Sequence, residues 1–109
     1  MSNTFKLKTK ANVGVTTVGI YTAPASTTTV VNGITMANTS GSGVNVGVGI
    51  TRAWTTEDVK LLKNAPIPQG SSLEFMSGNK IVLEATDTVT VDSDTNNSVD
   101  AALTIMEIT

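Results

Sequence analysis

The chain has 109 residues with a formal net charge of −2, and it contains neither cysteine nor histidine. A single domain with one modest core is expected at this length. The missing cysteines exclude disulfides and zinc–thiolate sites, and the missing histidines remove the usual general base and proton shuttle. The carboxylates show no spacing that predicts a shared pocket, so we expect neither enzymatic activity nor a cofactor.

Charge is distributed unevenly along the chain: residues 1–70 carry +4 and residues 71–109 carry −6. The two signs could pair across strands of one domain, or they could lie at opposite ends and favour head-to-tail contacts. A chain without a basic surface is not expected to bind nucleic acid directly. The first ten residues lack the apolar core of a signal peptide, and no apolar run could span a membrane. We therefore expect synthesis in the cytoplasm and no membrane association.

The first predicted strand alternates two apolar residues with three lysines, which would all face one way. This stripe is typical of a solvated edge strand that resists adding neighbours, and it would also suit an acidic partner surface. We therefore assign residues 1–12 to an N-terminal arm or edge strand and residues 13–109 to a single β-sandwich domain. The candidate contact residues in this segment are Phe5, Lys6, Leu7, Lys8 and Lys10.

Period-two alternation continues along the chain and predicts further strands. Short runs include Val18 with Ile20, and then Val30, Ile34 and Met36, which share a parity interrupted at Asn32. The clearest run has one apolar face and one small face, namely Val44, Val46, Val48 and Ile50 against Asn45, Gly47, Gly49 and Thr51. The small face is either plain solvent-facing surface or a place where another backbone approaches closely.

The only tryptophan, Trp54, follows Arg52 by two residues, so the two side chains would share one face of a strand. A cation–π contact between them is conceivable on that geometry, and tryptophan is also a frequent interface anchor. Both residues are therefore candidate contact residues. The following segment, residues 54–63, fits either one helical turn or a strand over residues 59–62; we favour the strand, ending before Pro66.

The C-terminal third contains three more alternating runs, which are Ile81 with Leu83, Val89 with Val91, and residues 99–108. The last run is apolar on both faces, with Ala102, Met106 and Ile108 opposite its main apolar face. This pattern indicates a strand that is covered on both sides. With turn signals between the runs, the whole pattern predicts an all-β, antiparallel β-sandwich of about eight short strands.

Residues 91–100, VDSDTNNSVD, space their side-chain oxygens as in a calcium loop. With Asp92 as the first ligand, an EF-hand requires a bidentate glutamate at the twelfth position, where Leu103 stands instead. We therefore interpret the segment as a hairpin loop in which Asp and Asn bond their own backbone and Asn97 takes a left-handed conformation. A looser metal site at Asp92, Asp94 and Asp100 is the weaker alternative.

Most of the chain, from about residue 16 to the end, resembles a known family. The similarity is carried by the runs LLKNAPIPQGSSLEF, KIVLEATDTVTVDS and SVDAALTIMEIT, with supporting matches at residues 20–26 and 33–39. These runs are similar to small virion structural proteins of tailed bacteriophages, many of them from marine or cyanobacterial hosts. Thr86 departs from the pattern, since such sequences often have glycine before the aspartate of that turn.

The resemblance implies a jelly-roll-like β-sandwich, present in many copies on the virion and without catalytic activity. It does not fix the position on the particle. We favour a capsid decoration (cement) protein, a small domain that binds and stabilises the major capsid protein shell, with residues 1–12 as an extended arm. A neck, tail, fibre or baseplate component, or a receptor- or glycan-binding module, is the alternative. The expected partners are the major capsid protein or other virion proteins, and further copies of the chain in a dimer or trimer.

Overall fold

Nine strands make up the fold in the computed structural model, which describes residues 2–53, 55–75 and 80–109. Within this part of the chain there is no helix long and apolar enough to cross a membrane. The strands are β1 (Asn3–Val13), β2 (Val18–Thr22), β3 (Thr28–Asn38), β4 (Val44–Arg52), β5 (Glu57–Ile67), β6 (Ser72–Phe75), β7 (Ile81–Leu83), β8 (Thr88–Ser93) and β9 (Val99–Ile108).

The strands form two antiparallel sheets. Sheet A has the order β1-β9-β3-β6, with β7 pairing a different part of β3, and sheet B has the order β2-β8-β4-β5. The pairing is nested, because the first strand pairs with the last, the second with the last but one, and β4 with β5 in the middle. The predicted all-β, antiparallel β-sandwich is confirmed. Several strands are longer than expected, since β1, β3 and β5 have eleven residues each.

The core lies between the two sheets and is built by the predicted alternation. In β9 the odd-numbered residues from Val99 to Glu107 are buried and the even-numbered ones point outward. The four apolar residues predicted for β4 are all buried, as are Val89 and Val91 of β8. Sheet A contributes further large buried side chains, namely Val31, Ile34, Met36, Leu103 and Ile105.

A bulge in β3 reverses which side chains face the core. The register with β9 shifts between Val31 and Gly33, so the inward parity changes from odd to even along the strand. Val31 and Ile34 are consequently both buried, whereas Val30 is only half-buried on the outer face. The prediction that Val30 shares a face with Ile34 and Met36 is therefore wrong, because one extra residue in a bulged strand flips every following side chain.

The small face of β4 is filled by the chain itself. A Cβ on Gly47 would lie 2.5 Å from Asp92 Oδ1, and one on Gly49 would lie 2.8 Å from the Val59 carbonyl oxygen. Both glycines are buried. Thus the interpretation of a close backbone approach holds at the glycines, and the approaching backbone is that of β5 in the same chain rather than that of another molecule.

Strand β5 confirms the preference for a strand over a helical turn in residues 57–63 of that segment. It does not end before Pro66, however, since β5 continues to Ile67 and Pro66 lies opposite Asn45 of β4. The proline is tolerated because β5 is an edge strand, where its missing N–H would have no partner strand to bond. The register between β4 and β5 also shifts twice.

The acidic segment after β8 is not a hairpin loop. Strand β8 belongs to sheet B and β9 to sheet A, so residues 94–98 carry the chain from one sheet to the other. The Ser93 and Ser98 hydroxyls lie 2.7 Å apart and brace the two ends of this crossing. Asn97 has φ +51, which confirms the left-handed conformation predicted for it. The left-handed residue was therefore predicted correctly, but the strand pairing was not. Nor does Asp94 bond its own backbone, since its side chain accepts a hydrogen bond from the Asn45 backbone.

Residues 3–13 form β1, an edge strand of sheet A that pairs with β9 from Asn3↔Ile108 to Val13↔Val99. Beyond the strands, the Ser2 and Thr109 backbones exchange two hydrogen bonds of 3.0 Å. The segment is thus placed as a strand of the sheet, and the division of the chain at residue 12 stays a prediction.

Candidate contact surfaces

The outer face of sheet A carries the most exposed large apolar side chains of β1. Phe5 and Leu7 are 71% and 65% exposed. They lie on the side of the sheet away from sheet B, together with the even-numbered residues of β9. Two of the candidate contact residues are therefore on a surface that another molecule can reach.

The lysines of β1 point to the opposite side, as the alternation predicts, and Lys6 is held by an ion pair. Its Nζ atom lies 2.9 Å from Glu107 Oε1, and Glu107 is 7% exposed at the end of the core. The other oxygen of this carboxylate accepts a hydrogen bond of 2.7 Å from the Tyr21 hydroxyl. Because the single hydroxyl proton of Tyr21 goes to Glu107, the Thr29 hydroxyl donates to the tyrosine oxygen, 2.8 Å away.

This cluster shifts the pKa values of two groups. Burial, followed by the hydrogen bond to Glu107, raises the pKa of Tyr21 to about 12. The same hydrogen bond, followed by that from Lys6, lowers the pKa of Glu107 below its usual range. Tyr21 belongs to sheet B and the other three residues to sheet A, so the cluster joins the two sheets. It is a structural network rather than an open site.

Arg52 is engaged within the chain. Its Nε atom donates to Asp87 at 3.0 Å, and its guanidinium also pairs with Glu84. Asp87 is 1% exposed and accepts a further hydrogen bond from the Glu84 backbone nitrogen, so Arg52 secures the turn before β8. Trp54, the proposed cation–π partner and contact residue, lies outside the described residues.

The candidate metal-binding carboxylates bind three different segments of the chain. Asp92 Oδ2 accepts a hydrogen bond from the Thr17 hydroxyl, Asp94 Oδ1 from the Asn45 backbone, and Asp100 Oδ1 from the Asn12 backbone. In the described part of the chain no group of three or more suitable side chains could hold a metal ion. The three aspartates are thus not brought together, and each fastens a loop or a strand.

Opposite charges from the two halves of the chain form ion pairs with each other within the one domain. Lys6 pairs with Glu107, Arg52 with Glu84 and Asp87, and Lys60 Nζ lies 3.8 Å from Asp92. Each pair joins a cation from residues 1–70 to a carboxylate from residues 71–109. The first interpretation of the uneven charge, that the signs pair across strands, is the one that the structure shows for these residues.

A depression of about 350 Å³ lies at the far end of the outer face of sheet A. Small side chains form its floor, with Thr9, Ala102 and Thr35 in one row across β1, β9 and β3. Its other lining residues are Lys10, Ala11, Ala37, Asp100 and Ala101. A second, smaller depression of about 160 Å³ lies on sheet B beside Gly49 and Lys60. Among the described residues, neither lining includes an aromatic side chain.

No model of a known protein family matches the chain, and no curated protein is similar to it in sequence. Solved structures with the same fold do exist. A capsid structure of Helicobacter pylori bacteriophage KHP30 contains a chain with a TM-score of 0.60 and 10% identity, covering 100% of this chain and 94% of that one.

Two further structures match over nearly the full length. A chain of the cyanophage Pam1 capsid gives a TM-score of 0.55 and 16% identity, covering 95% of this chain and 85% of that one. A chain of the Bacillus endospore appendages, which are disulfide-linked pili, gives a TM-score of 0.57 and 16% identity, covering 99% of this chain and 87% of that one. At these identities the likeness establishes a shared fold, which occurs in phage capsids and in pili.

The residues that complete the outer face of sheet A were not among the candidate contact residues. They are Val30, Val82, Met106 and Ile108, together with the small residues of the depression. One signal for them was present in the sequence, since the second apolar face of β9 predicts a cover on that side. Val30 and Val82 could not be added, because their positions depend on the bulge in β3 and on the pairing of β3 with β7.

Proposed function

We propose that the chain is a non-enzymatic structural protein of a virion, and specifically a capsid decoration protein that binds and stabilises the major capsid protein shell. The observation that carries this proposal is the open apolar face of sheet A, on a sandwich that two phage-capsid chains share over nearly their whole length. The nested strand order supports the jelly-roll form of sandwich.

Fold alone does not select a function, because the same sandwich also occurs in the endospore appendage. What the residues add is a surface suited to assembly. Phe5 and Leu7 keep most of their apolar area exposed on a regular, paired strand, and large exposed apolar patches commonly mark interaction sites. The proposed location is the virion, after synthesis in the host cytoplasm.

The test of this function is binding to shells. Purified chain is added to expanded capsids that lack it, and bound copies are counted after sedimentation. We expect saturable binding and a higher disassembly temperature of the shell. A tagged copy localised on the intact particle at low resolution separates a capsid position from a neck, tail or fibre position.

A matched pair of variants makes the test specific. Phe5→Ser removes an apolar side chain from the outer face of sheet A, whereas Val15→Ser removes one that is 57% exposed in the loop between β1 and β2. We expect the first variant to reduce incorporation into particles and the second to leave it unchanged. A folded chain that never binds shells with vacant sites would contradict the decoration role.

A further inference from the structure

Strand β9 is central in sheet A and apolar on both of its faces, yet only one face is covered. Its odd-numbered residues are buried against sheet B. Its outer face presents Ala102, Met106 and Ile108, which are half-buried by neighbouring strands alone. In the part of the chain that the structure describes, no element packs over this face. Within the described residues this face is therefore open to another molecule.

One half of this face is raised. Phe5, Met106, Val30 and Val82 are direct partners across four adjacent strands, so they form a continuous apolar row. We call these four residues the ridge. Its two outermost members, Phe5 and Val82, are 71% and 59% exposed. Four strands at a spacing of about 4.8 Å make the ridge roughly 15 Å wide between the outer strand axes.

The other half of the face is hollow. The floor row, Thr9, Ala102 and Thr35, lies four residues along each of β1 and β9 from the ridge, which is roughly 13 Å at 3.3 Å per residue. The depression of about 350 Å³ lies over this row. This volume is within the range of pockets that enclose small molecules, so an aromatic side chain can enter it.

Three of the four ridge residues lie on the same strands as the depression, namely β1, β9 and β3, and are separated from it along the strand direction. A two-fold axis that runs across the strands, midway between the two rows, places each ridge over the depression of the opposing copy. The middle row, Leu7 with Thr104 on β9, then lies on the axis and faces its own counterpart. We infer that the outer face of sheet A binds a second copy of this chain face to face, with Phe5 of each copy seated in the depression of the other.

The available area is sufficient for such a pair. From Asp100 to Ile108 the face is roughly 26 Å long, and with four strands it is roughly 19 Å wide. Two opposed faces therefore cover on the order of 1,000 Å² in projection, which is the lower bound for a specific interface. Self-complementarity is what an isologous contact requires, since the same surface must serve both partners. For this reason a second copy is a better occupant than an unrelated chain.

The first experiment measures self-association of the purified chain by sedimentation equilibrium across a range of concentrations. We expect a monomer–dimer equilibrium that Phe5→Ser weakens at least ten-fold, because buried aromatic residues dominate such interfaces. Ala102→Phe should also weaken it, by filling the depression while leaving the ridge intact. Combining Phe5→Ala with Thr9→Phe, the position on β1 that the axis places opposite Phe5, moves the bulky group to the opposing row and should restore part of the affinity. Val15→Ser is the control and should have no effect.

The second experiment tests the geometry. The chain has no native cysteine, so a single introduced thiol reports one contact. Thr104→Cys lies on the proposed axis and should cross-link to itself rapidly with a short bis-maleimide. Lys63→Cys, exposed on edge strand β5 of sheet B, should not. A chain that stays monomeric up to about millimolar concentration, or a dimer that Phe5→Ser and Thr104→Cys leave unaffected, overturns the inference.

This inference rests on the proposed function and deepens it: the second copy covers the outer face of sheet A, so the pair is the unit that binds the shell, and Phe5→Ser lowers incorporation by weakening the pair. The two proposals can nevertheless fail separately. The dimer is tested with purified chain and no shells, whereas decoration is tested by binding to shells. A dimer that does not bind shells contradicts the decoration role but not the face-to-face pair. A chain that binds shells as a monomer, with no cross-linking through Thr104→Cys, contradicts the face-to-face pair alone.

Discussion

Among the described glycines, Gly47 and Gly49 leave the least room for a Cβ, and they differ in whether a side chain or a backbone atom lies nearest. The nearest neighbour of a Cβ on Gly47 is the end of the Asp92 side chain, which can move. The nearest neighbour of a Cβ on Gly49 is the Val59 carbonyl oxygen at 2.8 Å, which can move only with β5. A side chain at position 47 would therefore meet a neighbour that can move, whereas one at position 49 would meet a neighbour that is fixed in a strand.

We expect Gly49→Ala to destabilise the fold by about 1–3 kcal/mol, since overpacking must displace a paired strand. Gly47→Ala should cost less. Gly41→Ala is the control, because a Cβ there meets no atom within 4 Å. Free energies of unfolding, measured in urea, rank the stabilities of the three variants. Equal stabilities of the Gly41 and Gly49 variants would show that β5 yields without strain.

The Tyr21 cluster makes the stability of the fold depend on pH, with stability falling at high pH. The chain has one tyrosine, so ultraviolet difference absorbance reports Tyr21 alone. We expect it to titrate near pH 12 in the folded protein and near 10 after unfolding. The unfolded chain then loses its proton first, so stability is complete below pH 10 and falls as the pH rises towards 12.

Glu107→Gln is the companion variant for this titration. It removes the negative charge beside the phenol but keeps the burial, which is the largest cause of the raised pKa. The Tyr21 pKa should therefore fall from about 12 while staying above that of an ordinary tyrosine. A wild-type midpoint near 10 in the folded state would contradict the buried cluster.

Among the elements, the turn between β7 and β8 shows how a partly exposed arginine can still be structural. Asp87 accepts hydrogen bonds from Arg52 and from the Glu84 backbone, whereas the Glu84 side chain is 68% exposed. We expect Asp87→Asn to cost roughly 1.5–3 kcal/mol, because charge-assisted bonds to a buried carboxylate are lost. Glu84→Gln should cost less than about 1 kcal/mol. The free energies of unfolding in urea compare the two variants. Equal losses of stability would contradict the expectation that the buried Asp87 matters more than the exposed Glu84.

The strand faces could be predicted from the sequence wherever the period of two is unbroken. Strands β8 and β9 follow it along their length, whereas β4 buries the predicted apolar residues together with Gly47 and Gly49. Strand β3 does not follow it, because the register shifts between Val31 and Gly33, and the sequence shows this only as a polar Asn32 at an apolar position of the alternation. Polar exceptions carry information that is easily overlooked: Glu107 has the parity of the core residues, which signals a buried, paired carboxylate.

Strand partners are harder to predict than strands, because they are set by the packing of the whole molecule. Residues 94–98 have the composition of a hairpin loop, yet they connect two sheets. The same limit applies to the contact surface. Phe5 and Leu7 could be selected from their own alternation, whereas Val30 and Val82 join them only through pairing between distant strands.

The nested order makes the first and last strands of the molecule partners. Asn3 pairs with Ile108, and the ends of Ser2 and Thr109 are hydrogen-bonded to each other. Bringing these strands together closes a loop of roughly one hundred residues, and the entropic cost of closure grows with loop length. Folding of the chain should therefore be slow, as is typical of sandwiches with distant partners.

A circular permutant tests this dependence on connectivity. A short glycine–serine linker joins Thr109 to Ser2, and new ends are placed between Gly41 and Ser42, in the exposed loop from β3 to β4. These two strands belong to different sheets, so the cut removes no pairing. We expect stopped-flow refolding roughly ten-fold faster than in the linear chain, since closure of the β1–β9 pair becomes local. A stable permutant that refolds at the original rate would instead show that β1 docks after the rate-limiting step.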